Sequence, residues 1–446
     1  MKYSQHLNVA EHIYKIANEY HLVAREILKD TALTALMGLA SSLFSYLFLQ
    51  FLGKSLTPTE FGDFGVAMTA LVGVSVVALM YNAVVIQYIA YFLSKSQKEK
   101  IVSFSKYSLY AIMVAGLAVF FIFEFFAEDI SILLNLSSPV IMRLLGILML
   151  TEFFGTGISG VLNGLQRFAV LGFVRIVYAI ISLLAGAGLV YSGFGVEGAL
   201  IGFIVGSVSL NLISIYFLRK TLFAQPERIG KIGVLKYLFF AVPITISIGV
   251  LLNSDILLAK YYLQPIEAGH YVAASLIGTF AFFIMAAVVK VMFPKVANFN
   301  SNGKDTLPLL KESVQYTALL TGILTLAFLL VPDLASKFLF SEEYSISGLL
   351  RWYAPATFFL AMTTVFVMYL VALRKFSILY PVAGFAILKV FILARFHASA
   401  SEIVAAVFWV NFALFLVILV LYKDIILLAM KKRREYFNYA ELLQSR

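Results

Sequence analysis

Five ionisable residues fall inside long apolar stretches of the chain: Glu152, Arg175, Asp255, Lys290 and Lys389. A charge in such a setting must be neutralised or put to use, so each is a candidate for holding a charged ligand, carrying a proton or cation, or closing an ion pair. Arg175 lies about eight residues from the nearest polar loop, roughly 12 Å at a helical rise of about 1.5 Å per residue. Lys290 is similarly close to the same side, and both side chains are long enough to reach an interface. Glu152 and Lys389 fall nearer the middle of their stretches, at similar depth, and Glu152 could pair with Lys389 in an empty cavity. Asp255 stands in "NSDILL", where Asn253 and Ser254 make the surroundings polar and suggest a water-filled cavity. A carboxylate such as Asp255 or Glu152 could bind a proton or Na⁺, and the three cations suit an anionic ligand. A purely structural ion pair among these groups is the alternative reading.

These residues need a membrane to give them meaning, and the composition supplies one. The chain is 61% hydrophobic and 13% charged, with a mean hydropathy of +0.93. Long apolar runs broken by short polar loops predict an all-α polytopic membrane protein. Twelve spans are expected, near residues 31–53, 63–93, 105–127, 140–164, 170–191, 196–218, 237–260, 269–296, 313–332, 348–372, 376–395 and 402–422. Residues 1–29 read as an amphipathic arm on the membrane surface, 30–219 as a first lobe, 220–236 as a linker, 237–422 as a second lobe and 423–446 as a basic tail. An even number of spans puts both termini on one side. If that side is the cytoplasm, inner segments carry 25 of the 34 Lys and Arg residues and outer loops carry 6. This cationic bias predicts cytoplasmic termini in the cell membrane. There are no cysteines, so disulfides and thiolate metal sites are excluded. No Walker motif appears, the five histidines lie outside the spans or, for His270, at the edge of one, and no cofactor, metal, catalytic residue or nucleic-acid partner is expected.

The spans come in two copies. "LTPTEFG" from Leu56 recurs as "LQPIEAG" from Leu263, an offset of 207 residues. Leu28-Lys29 matches Leu235-Lys236 at the same offset; Arg143 matches Arg351 at 208, and "NGLQRFAVL" from Asn163 falls on "VALRKFSIL" from Val371. Two six-span halves inserted in the same orientation follow, related by a pseudo-two-fold axis along the membrane normal, around a central cavity. Within the motif, Thr57, Pro58 and Glu60 form a helix start of the Thr-x-x-Glu kind. Gln264 is a weaker cap in the second copy. Gly62 and Gly269 should allow close helix approach, and Gly198, Gly202 and Gly206 predict a second packing stripe within the first half.

The Leu-x-Pro-x-Glu-x-Gly turn after the first span, the "NGLQRF" loop after the fourth and the six-plus-six duplication together resemble the polysaccharide transporter family. These are the Wzx-type flippases of the multidrug/oligosaccharidyl-lipid/polysaccharide exporter superfamily. The resemblance implies two bundles around a central cavity and a flippase that moves lipid-linked oligosaccharide from the cytoplasmic to the outer leaflet. Arg175, Lys290 and Lys389 would then meet the diphosphate of the cargo, with its lipid tail left among membrane lipids. Glu152, Asp255 and Asn253 would serve ion coupling, to H⁺ or Na⁺, or charge pairing. A monomer is expected. A multidrug antiporter of the same superfamily is a rival reading, and a membrane-embedded polysaccharide polymerase a more distant one.

Overall fold

The computed structural model describes residues 34, 36–222, 234–301 and 303–423. The expected arm at 1–29, most of the linker at 220–236 and the tail past residue 423 lie outside them. All regular structure among the described residues is helical. The first half runs α1 (Leu36–Ser55), α2 (Pro58–Ser94), α3 (Lys98–Phe125), α4 (Ala127–Leu133), α5 (Val140–Gly164), α6 (Phe168–Leu189) and α7 (Gly195–Leu222). The second runs α8 (Val234–Tyr262), α9 (Pro265–Gly278), α10 (Phe280–Ser301), α11 (Leu307–Leu330), α12 (Pro332–Leu339), α13 (Ser347–Ala372), α14 (Leu379–Arg395) and α15 (Ala400–Leu421).

Eleven described helical runs are long and apolar enough to cross a membrane. One of them, Phe168–Leu222, is two spans: a π-turn at Val190–Phe194, with Gly193 at φ 91° and Gly195 at φ 48°, folds α7 back onto α6. The expected glycine stripe seals that hairpin, for Gly202 lies on Gly186 and Gly206 on Ser182. The twelve expected crossings are thus accounted for. Several helices start earlier than apolar content alone indicates, because their first turns carry polar residues ahead of the apolar run. At α2 the capping box is complete: Thr57 accepts from the Glu60 N–H, and Glu60 accepts from the Thr57 N–H. Gln264 makes no such bond at α9.

The duplication is written into the turns. Ser96 and Gly303, 207 apart, both take positive φ, and the bonds Ser96 N–H to Leu93 O and Gln97 N–H to Phe92 O recur as Gly303 to Asn300 and Lys304 to Phe299. Gln166 and Arg374, 208 apart, do the same: Gln166 to Asn163 and Arg167 to Leu162 recur as Arg374 to Val371 and Lys375 to Leu370.

The two halves share one core, and each keeps apolar clusters of its own. The shared apolar cluster gathers Phe48, Leu52, Phe61 and Phe64 with Ala259, Tyr271, Val272, Phe340 and Tyr353, all from the end where α1 meets α2 and α8 meets α9. At the other end each half packs alone: Ile89, Phe104 and Leu162 in the first, Met292, Val296 and Leu370 in the second. We call these the joined and the split ends. At the joined end the two copies of the repeated turn pack on each other. A Cβ on Gly62 would stand 3.2 Å from the Gly269 Cα, and one on Gly269 would collide with the Pro58 carbonyl. Loops also cross the seam. Asn135 donates to the carbonyl of Tyr261 (3.0 Å), while the Tyr344 hydroxyl donates to the carbonyl of Leu56 (2.9 Å).

Candidate functional site

The first half encloses a polar cavity of about 320 Å³. Four helices carry its chemistry: Asn82 on α2, Glu152, Ser159 and Asn163 on α5, Arg175 and Tyr178 on α6, and Ser207 on α7, with Ser41 and Ser45 of α1 at one side. Each helix must present a polar residue to its own neighbours, since apolar helices in lipid have no other place to hide one. Glu152 has the side chains of Tyr178 and Ser207 as hydrogen-bond partners. Asn82 lines the cavity and donates to the carbonyl of Thr156 on α5 (2.5 Å). Asn211, one turn beyond Ser207, donates to the carbonyl of Thr151 (2.9 Å) and fastens α7 to α5 behind Glu152. From Glu152 to Asn163 the lining climbs toward the split end, about 16 Å along α5 at about 1.5 Å per residue. Arg175 is exposed to the cavity and makes no ion pair among the described residues. The result is a polar chamber with one unpaired guanidinium, one hydrogen-bonded carboxyl group and a wall of hydroxyls and amides.

The second half holds its charges differently. Asp255 and Lys389 form a fully buried ion pair, Oδ1 to Nζ 2.7 Å. Lys389 also donates to the Leu251 carbonyl (2.6 Å), and the other carboxylate oxygen accepts from Tyr271 (2.7 Å) and Tyr353 (2.8 Å). The two tyrosine rings meet edge to face at 5.8 Å. Four helices, α8, α9, α13 and α14, are tied at this one knot. A buried pair is stable only when its remaining hydrogen-bonding capacity is met, and here three donors reach the carboxylate.

Several expectations change on this geometry. Lys389 pairs with Asp255, not Glu152, because α14 packs on α8 within its own half while α5 lies in the other. With its ammonium enclosed, Lys389 has no access to an anionic ligand in this conformation. Asp255 faces packed core, not a water-filled cavity, and Asn253 turns back to bond the Gly249 carbonyl of its own helix (3.2 Å). Lys290 is exposed on α10 and forms no ion pair among the described residues. Arg175 and Glu152, treated separately in the sequence, share one chamber. Tyr178, Ser207 and Asn82 went unnoticed there, since single polar residues in apolar helices are common; their recurrence on facing sides of α2, α6 and α7 is the signal that could have found them. Glu267 does more than begin its helix: it accepts from the Ala400 N–H (2.6 Å) at the start of α15. Glu60 likewise lies against Gly195 at the start of α7.

No curated protein matches the chain. Among solved structures, the inward-facing conformation of a multidrug resistance MATE family transporter of the MOP superfamily is similar at TM-score 0.70, with 15% identity over 87% of this chain and 95% of that one. The lipid II flippase MurJ in its inward closed conformation is similar at TM-score 0.69, with 14% identity over 88% of this chain and 87% of that one. A MOP superfamily transporter from Pyrococcus furiosus Vc1 (DSM3638) gives TM-score 0.59, with 14% identity over 90% and 94%. These likenesses establish a shared transporter fold. The family described as "Polysaccharide biosynthesis protein" matches residues 27–299, more than half of the 446 residues, and the chain belongs to that family.

Proposed function

We propose that this protein is a flippase that moves lipid-linked oligosaccharide or polysaccharide precursors from the cytoplasmic to the outer leaflet, its two halves opening alternately to either side. The observation that carries the reading is the first-half cavity, where an unpaired Arg175 stands among hydroxyls and amides. A diphosphate–sugar head needs a cation for its phosphates and neutral donors and acceptors for its sugars, in a chamber that water can fill. Lys290 supports the same reading, because it lies on α10, one residue past the repeat counterpart of Asn82, and carries no ion-pair partner among the described residues. The bias of 25 inner against 6 outer cations favours a cytoplasmic split end, which would open the cavity to cargo made inside the cell. Glu152 is our candidate for coupling to H⁺ or Na⁺. The fold serves a multidrug transporter and a lipid II flippase alike, so the choice of cargo rests on the family and on the free guanidinium.

Lipid analysis of a deletion strain tests the reading. Lipid-linked oligosaccharide should accumulate on the cytoplasmic leaflet, and unchanged lipid pools with a normal surface polymer would refute it.

A further inference from the structure

At the joined end one carboxylate and one ammonium meet across the seam. Asp63, near the start of α2, and Lys260, in the last turn of α8, are 2.6 Å apart and fully buried. The second oxygen of Asp63 accepts from the backbone N–H (3.0 Å) and hydroxyl (2.5 Å) of Ser137 in the first half's own loop. Asn135 of the same loop reaches across to the backbone carbonyl of Tyr261, next to Lys260. The arrangement is single, not doubled. The repeat counterpart of Lys260 is Gly53 and that of Asp63 is His270, whose ring lies 3.2 Å from the Glu343 carbonyl oxygen. Beside the pair, Gly62 leaves only 3.6 Å between a Cβ there and the Lys260 Nζ, so the ammonium is closely walled while the seam is shut.

A buried ion pair holds two surfaces unlike an apolar contact. While the seam is dry, the charges attract strongly and separating them is costly. Once the seam parts, water enters and solvates both, offsetting most of the lost attraction. An apolar seam gains nothing of the kind on wetting. We infer that Asp63 and Lys260 form a water-released latch between the halves, which keeps the joined end shut and lets it reopen reversibly. The inference goes beyond the proposed transport and is independent of what the cargo is.

The absence of cysteine makes the test direct. Val272 packs on Gly65 across the seam and is 1% exposed, so Val272→Cys places one thiol behind the latch. Its rate of labelling by a maleimide is read in lipid nanodiscs, with Tyr191→Cys, on a residue 89% exposed at the same end, as the reference for amount and fold. Asp63→Asn or Lys260→Met leaves one buried charge alone, and should raise the Val272→Cys rate about tenfold as that charge draws the seam open to water. Lys260→Arg should stay near the parent rate. The double variant Asp63→Leu/Lys260→Met should label more slowly than the parent, having lost the gain from wetting. Parent-like rates in both single variants, or a double variant as fast as the singles, would overturn the latch. Should a single variant fail to accumulate, the double variant decides: slower labelling than the parent supports the latch, and equal or faster labelling rejects it.

Discussion

The cavity of the first half and the ion-pair knot of the second sit at different places in one duplicated frame, and the repeat shows what each copy puts where the other is polar. Asn82, Glu152, Arg175 and Tyr178 correspond to Val289, Leu360, Ala383 and Ala386. Asp255, Tyr271, Tyr353 and Lys389 correspond to Phe48, Phe64, Leu145 and Ile181. Each polar site thus has an apolar counterpart, and the counterparts Leu360, Phe48, Phe64 and Leu145 are buried. Duplication supplied a frame of helices and turns, and the two copies then spent their polar residues on opposite tasks. One half lines a polar chamber with an unpaired guanidinium and a hydrogen-bonded carboxyl group. The other uses its charges to fasten four helices. A duplicated fold can in this way place an open polar chamber in one half and a closed ion-pair knot in the other.

That contrast can be broken most forcefully at the knot. Lys389→Met would strand Asp255 among two tyrosines in a dry core, and should destabilise the second half by about 3–5 kcal/mol, the usual cost of removing one partner of a buried pair. Thermal unfolding of the purified protein in lipid should show a large fall in midpoint. The double change Asp255→Leu/Lys389→Met should recover most of it. If Lys389→Met unfolds at the parent temperature, the second half is not held by its charges.

Arg175→Gln probes the opposite half. Loss of a charge-assisted contact of about 1.5–3 kcal/mol should cut transport about 10- to 100-fold. Because Arg175 is exposed and unpaired among the described residues, the unfolding temperature should barely move. A large drop in stability with unchanged transport would reverse the assignment of roles. Glu152→Gln is a milder change, isosteric and still able to bond Tyr178 and Ser207. It should leave slow transport that no longer responds to an imposed ion gradient in vesicles, and a response equal to the parent's would remove Glu152 from coupling.

The smallest effect sharpens the comparison by serving as its control. Both last helices send an asparagine to the fourth span of their half: Asn211 to the Thr151 carbonyl on α5 and Asn411 to the Ala356 carbonyl on α13 (3.0 Å). Asn211→Ala and Asn411→Ala should each cost about 0.6–1.7 kcal/mol, the range for such bonds between membrane helices. Similar shifts in unfolding are expected, since this device is shared; a severalfold difference would mean that the halves differ in packing too.

Much of this fold was legible in the residues alone. Hydropathy finds spans because lipid demands apolar length, and the repeat shows because turn positions such as Gln166 and Arg374 need the same unusual backbone in both copies. All five charges in apolar runs were visible for the same reason. Their partners were not. Pairing depends on which faces of which helices meet, and a one-dimensional sequence does not carry that angle, so Lys389 could be matched to Glu152 on depth alone. Asp63 stands at the very edge of its apolar run, 63–93, where an acid reads as one that reaches water. Lys260 passed for an outer-loop cation, and Tyr271 and Tyr353 for ordinary core aromatics. What the sequence hides in each case is a contact between segments far apart along it.

The shared core at the joined end has a consequence for how the chain is made. Synthesis delivers α1–α7 first, and these helices can bury Ile89, Phe104 and Leu162 among themselves. The other faces of Phe48 and Phe61 can rest against lipid tails meanwhile. Asp63 cannot: until α8 arrives with Lys260, its carboxylate has only Ser137 and whatever water it can hold at the membrane surface. The newly inserted first half therefore waits with its end unsealed. Arrival of the eighth helix, halfway through translation, supplies the missing charge, and the shared core closes only when Val272, Phe340 and Tyr353 follow.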